Sequence, residues 1–182
     1  ISGWIYRISN RWVALATLGG FLLFTGLVLP TQADQAEVAT GSTESPDTSF
    51  FYSPDDLYRI AEAYGESGRR AYVRARFTFD LVWPLVYTGF LVTAISWLHR
   101  QVMAGEHWTR YANLVPILGA LFDYLENLST SLVMIRYPSR TPVFAILAPG
   151  FTAVKWVFVG GSFLLLGLMG LARSFTRFRR ER

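Results

Sequence analysis

Cysteine is absent from the 182-residue chain. Its absence excludes thiol nucleophiles, disulfides and cysteine-ligated metal or iron–sulfur centres. Lysine is almost absent: Lys155 is the only one among 17 basic residues, so the basic charge is carried by arginine. Only two histidines occur, His99 and His107, close together beside Glu106. That spacing reads as interfacial side chains rather than a metal or haem site. Charge of both signs is scarce, at 16% of residues. No P-loop, dinucleotide fingerprint, HExxH or GxSxG motif occurs, so neither cofactor nor metal is expected.

Apolar residues fill the space: 52% of the chain is hydrophobic and 16% aromatic. Soluble domains are less apolar and more charged. The net charge of +4 comes from arginines flanking apolar runs, as topology signals and lipid-phosphate contacts do. A nucleic-acid partner is therefore not expected, whereas membrane lipids are.

A membrane-crossing helix needs about 20 mostly apolar residues. Four stretches qualify, near Trp12–Leu29 (closed by Pro30), Phe77–Leu98, Tyr111–Ile135 and Val143–Leu171. The expected fold is all-α: a single four-helix membrane domain over residues 1–182. The first stretch is too long for a signal-peptide core and reads as a retained helix. The arginine-rich tail from Arg173, with Phe175 and Phe178 interleaved, resembles a juxtamembrane anchor. The acids gather in the long loop over 31–76. Both termini are therefore expected in the cytoplasm of a multi-pass cell-membrane protein, with that loop outside. Thr31–Ser49 reads as a mobile loop. Ser53-Pro54-Asp55-Asp56 is a helix start, with a capping serine, a first-turn proline and acids on the positive helix end. It predicts a short amphipathic helix over Pro54–Tyr64, stopped by Gly65, with Gly68 as a hinge. Gly19-Gly20, Gly160-Gly161, Gly167 and Gly170 read as close helix-packing positions.

Charges inside the apolar runs carry the functional signal, since each costs about 2.5–3.5 kcal/mol on insertion scales. On the third run Pro116, Gly119, Asp123, Glu126/Asn127 and Thr130 share one helical face. Thr152, Lys155 and Ser162 do so on the fourth, and Arg76, Asp80, Pro84 and Tyr87 on the second. These faces should converge, placing Lys155 within reach of Asp123 or Glu126. One lysine cannot neutralise three carboxylates, which points to a water-filled pocket, a bound cation or a protonated carboxyl.

Three functions follow. The leading one is an outward-opening pocket that binds, and in one version modifies, a lipid or other amphipathic molecule. Asp80, Tyr87, Asp123, Glu126, Asn127 and Lys155 line it, Arg76 sits at its mouth, and the helix over Pro54–Tyr64 roofs it. Asp123, Glu126 and Lys155 are the candidates for acid–base work, with enzyme activity left open. The second is a non-catalytic subunit or assembly factor of a larger membrane complex, or a homo-oligomer, with the charges serving architecture. The third is proton or cation movement through the carboxylates.

Overall fold

The computed structural model describes residues 1–46, 49–103 and 108–180; the side chains of Trp108, Arg177, Arg179 and Arg180 lie outside the description. His107 and Glu106, considered above, fall outside the described residues. The fold is all-helical, 87% helix, with no strand among the described residues. The helices are α1 (Ser2–Ile8), α2 (Arg11–Leu23), α3 (Leu29–Thr40), α4 (Pro54–Ala63), α5 (Gly65–Arg76), α6 (Phe79–Val102), α7 (Val115–Arg136) and α8 (Pro142–Arg180).

Pro30 does not close the first span. Asn10 caps α2 by accepting from the Trp12 and Val13 amides. The helix then passes through a π-helical turn over Phe24–Val28, in which the Leu29 amide reaches back to the Phe24 carbonyl. This wider turn lets the proline ring follow without ending the helix. The chain stays helical to Thr40 and stops at Gly41, whose φ of 67° is the left-handed cap that glycine adopts most readily. The expectation of a mobile loop over Thr31–Ser49 therefore fails for its first ten residues. Their helix is held from outside by α5. A Cβ on Gly68 would lie 3.1 Å from the Thr40 Cα and 3.1 Å from the Tyr64 Cβ, so Gly68 is a close-approach point rather than a hinge.

α4 begins where the capping signal puts it: Ser53 and Asp56 form a reciprocal capping box, with Pro54 in the first turn. Gly65, at φ 61°, turns the chain from α4 into α5. The inward face of α4 (Leu57, Ile60, Ala61) joins Val133 and Met134 of α7 and Ala145 and Ala148 of α8 in one apolar core. A second core lies towards the other end of the bundle, where Tyr87, Leu91 and Ile95 of α6 meet Val159 and Met169 of α8.

α8 runs on to Arg180, past the expected end at Leu171, because no glycine or proline follows Gly170 to stop it. Among the described residues, three helical stretches are long and apolar enough to cross a membrane: Arg11–Thr40, Gly65–Val102 and Pro142–Thr176. α7 is not among them. Its 22 residues would span about 33 Å, but Asp123, Glu126, Asn127, Ser129, Thr130 and Ser131 lower its hydropathy, and all six are buried.

Candidate functional site

Along α8 the order is apolar, polar, apolar: Ala145 and Ala148, then Thr152 and Lys155, then Val159 and Met169. The polar layer thus lies between the two cores. α7 and α8 can approach closely there because Gly119 leaves room: a Cβ on it would stand 2.8 Å from Val159 Cγ2.

Lys155 Nζ lies 2.5 Å from Glu126 Oε2 and 3.8 Å from Asp123 Oδ1. Glu126 is fully buried, Asp123 is 9% exposed and Lys155 6%. Two further donors complete Asp123. The Tyr87 hydroxyl donates to Oδ2 at 2.9 Å, and the Asn127 amide donates to Oδ1 at 3.4 Å. Neutral donors on a carboxylate stabilise its charge. The cluster joins α6, α7 and α8. Asn127 Oδ1 and Ser131 Oγ are buried with no hydrogen-bond partner among the described residues.

Asp80 and Arg76 form a separate pair. Arg76 Nε is 2.8 Å from Asp80 Oδ2, one turn apart, and both side chains are about nine-tenths buried, at 12% and 10% exposure. The guanidinium also lies over the Tyr72 ring, 4.6 Å from its centroid. Arg76 therefore folds inward onto Tyr72 of α5 and Asp80 at the start of α6 instead of reaching outwards from a mouth. A partner four residues away costs less ordering entropy than a distant phosphate.

Several members of the layer escaped the sequence reading. The Tyr72 hydroxyl donates to Thr130 Oγ1 at 3.2 Å, and Thr130 in turn donates to the Glu126 carbonyl at 3.0 Å. Tyr52 and Thr152 share a hydrogen bond of 3.1 Å. Tyr72 stands one turn before Arg76, a spacing that could have marked it. Tyr52 precedes the capping signal and carries no such mark. Thr152 and Ser162 also return hydrogen bonds to the Ala148 and Phe158 carbonyls of their own helix.

Neither of the two best-formed hollows reaches the layer. The best-formed hollow, about 490 Å³, lies at the surface between α4 and the α7–α8 turn, lined by Asp55, Tyr58, Arg59 and Arg140 among others. The next, about 380 Å³, is an apolar groove between α2 and α6, with Gly20, Phe21, Val86 and Gly89 in its walls. None of Arg76, Asp80, Tyr87, Asp123, Glu126, Asn127 or Lys155 lines either one. α4 covers the apolar core at that end of the bundle. No group of three metal-ligating side chains occurs among the described residues.

No family model, curated protein or solved structure matches the chain.

Proposed function

We propose that this chain is a non-catalytic subunit of a larger membrane assembly, a four-span scaffold whose polar layer sets helix register. The observation behind this reading is the burial of Tyr87, Asp123, Glu126, Asn127 and Lys155. None is more than 9% exposed, and they are bonded to one another across three helices. A ligand pocket needs lining atoms turned to an open space. A register device needs them turned to each other.

α7 completes the span count in this reading. Its polar residues point inwards, and before Arg136 its exposed positions are Ile117, Leu118, Leu121, Leu128 and Ile135, all fit for lipid. Both termini lie on the cytoplasmic side of the cell membrane, and α3 to α5 lie on the other. The case for partners comes from glycine. Gly19 and Gly20 on α2, and Gly160, Gly161, Gly167 and Gly170 on α8, have nothing within 4 Å of where a Cβ would stand. They do not serve packing within the chain. In a bilayer, small residues let helix backbones approach closely, so these faces suit helices of another subunit or a second copy.

Native mass spectrometry of the gently extracted protein tests the proposal. The expected result is an assembly heavier than one chain, which Gly161→Val with Gly167→Val reduces to the single chain. A single chain carrying one stoichiometric amphipathic molecule would instead favour the pocket.

A further inference from the structure

The fold sorts the charges of the chain between its two ends. One end gathers α3, α4, α5 and the α7–α8 turn. Arginines there are matched by acids: Arg59 pairs with Glu44 at 2.7 Å and Asp56 at 3.4 Å, Arg70 with Glu66 at 2.5 Å, and Arg140 with Asp55 at 3.7 Å. The other end gathers α1, the start of α2, the end of α6, the turn before α7 and the end of α8. It carries Arg7, Arg11, Arg100, Arg110 and Arg173, and no described acidic residue. The helix of Arg173 then continues through Arg177, Arg179 and Arg180.

Three of these guanidinium groups lie over aromatic rings. Arg173 stands 4.5 Å over Trp97, Arg11 4.7 Å over Trp12 and Arg110 5.1 Å over Tyr111. For Arg11 and Arg173, a cation held over a ring can still donate N–H groups to phosphate oxygens. Around them Trp4, Trp12 and Phe175 are 63%, 66% and 71% exposed, the amphipathic and apolar side chains that favour a headgroup region.

α1 builds this end into a fixed surface. The Ser2 hydroxyl donates to Asn113 Oδ1 and the Asn113 amide donates to Ser96 Oγ, both at 2.9 Å. The Tyr6 hydroxyl donates to the Arg110 carbonyl at 3.0 Å, while Arg100 donates to the Tyr6 carbonyl at 2.5 Å. Burial pushes the Tyr6 phenol up to about 12, against the opposing pull of Arg100 and Arg110. It therefore stays neutral at physiological pH and does not cancel the arginines beside it.

We propose that this arginine end is a binding surface for the headgroups of anionic phospholipids, with Arg7, Arg11, Arg100 and Arg173 as phosphate contacts. The assignment rests on the four-span reading, because it needs this end at a bilayer surface. Mixed charge suits the opposite end to zwitterionic lipid or water, whereas a surface with unbalanced positive charge selects negative headgroups.

The test reconstitutes the full chain into nanodiscs of phosphatidylcholine, with or without a fraction of phosphatidylglycerol. Lipids retained on the extracted protein are then counted by native mass spectrometry. The expected result is preferential retention of phosphatidylglycerol, falling about fivefold for each arginine removed in Arg100→Gln and Arg173→Gln. High salt should weaken the preference, inorganic phosphate should not compete, and Arg59→Gln with Arg70→Gln should change nothing. Equal retention of both lipids by the reconstituted chain would overturn the proposal. So would a preference lost in the Arg59/Arg70 variant but kept in the Arg100/Arg173 variant. A failure of the four-span reading shows differently, as a chain that does not enter nanodiscs or whose fused terminal reporters lie on opposite sides.

Discussion

Replacing Lys155 by Met removes the ammonium that faces Asp123 and Glu126 while roughly keeping its volume. The two carboxylates do not suffer equally. Glu126 is fully buried with the ammonium 2.5 Å away. Asp123 is 3.8 Å from the ammonium and keeps the Tyr87 and Asn127 donors. Stranding one partner of a buried pair costs about 3–5 kcal/mol, so Lys155→Met should lower the folding constant by a factor of about 10²–10³ or more. The second substitution discriminates. Lys155→Met with Glu126→Gln should recover most of the loss, because the stranded charge is gone. Lys155→Met with Asp123→Asn should recover much less. Reversible unfolding of the detergent-solubilised protein, followed by helix content, measures all the states of both cycles. Strictly additive losses, or a larger rescue from Asp123→Asn, would refute the ranking of the two carboxylates and the pairing behind it.

Three further outcomes follow from the same geometry. Gly119→Val should cost about 1–3 kcal/mol of stability, since α7 would be forced away from Val159; Gly161→Val, in open space, should leave unfolding of the single chain within about 0.5 kcal/mol. Ser53→Ala should remove the α4 cap and cost about 1 kcal/mol, seen as faster hydrogen exchange over Pro54–Ala63. The Ser53 amide and hydroxyl hold the Asp56 carboxyl below its ordinary range near 3.8, so that contribution is complete above this value and fades as the pH falls through the depressed one. Protection of the α4 amides, taken relative to the intrinsic exchange rate at each pH, should fall on acidification below about pH 4, and Asp56→Ala should remove that acid-dependent change.

Features governed by neighbours in sequence were the more legible ones. The α4 start was readable because a capping box is a four-residue event. The approach of Lys155 to the α7 acids was readable because equal depth in two apolar helices leaves few alternatives. The continuation of the first helix past Pro30 was not, since it depends on a π-helical turn and on α5 docking against Thr40, some 30 residues away in sequence. Arg76 was misdirected for a related reason. Long arginines near a helix end often reach for solvent, but Asp80 one turn on and the Tyr72 ring hold this one back. Periodicity shows which faces converge, but only packed coordinates show whether side chains meet or leave a gap, and Tyr72 and Tyr52 contribute hydroxyls from outside the three charged runs.

The absence of cysteine makes one measurement decisive. Single cysteines are introduced at Asn127 within the polar layer and at Val38, which is 86% exposed on α3. A polar thiol reagent is then added to the folded, membrane-embedded protein. A packed polar layer predicts rapid modification at position 38 and none at position 127 until the protein is unfolded. Comparable labelling of both sites in the folded state, with added lipid protecting position 127, would contradict the scaffold account and restore an open, ligand-accessible pocket.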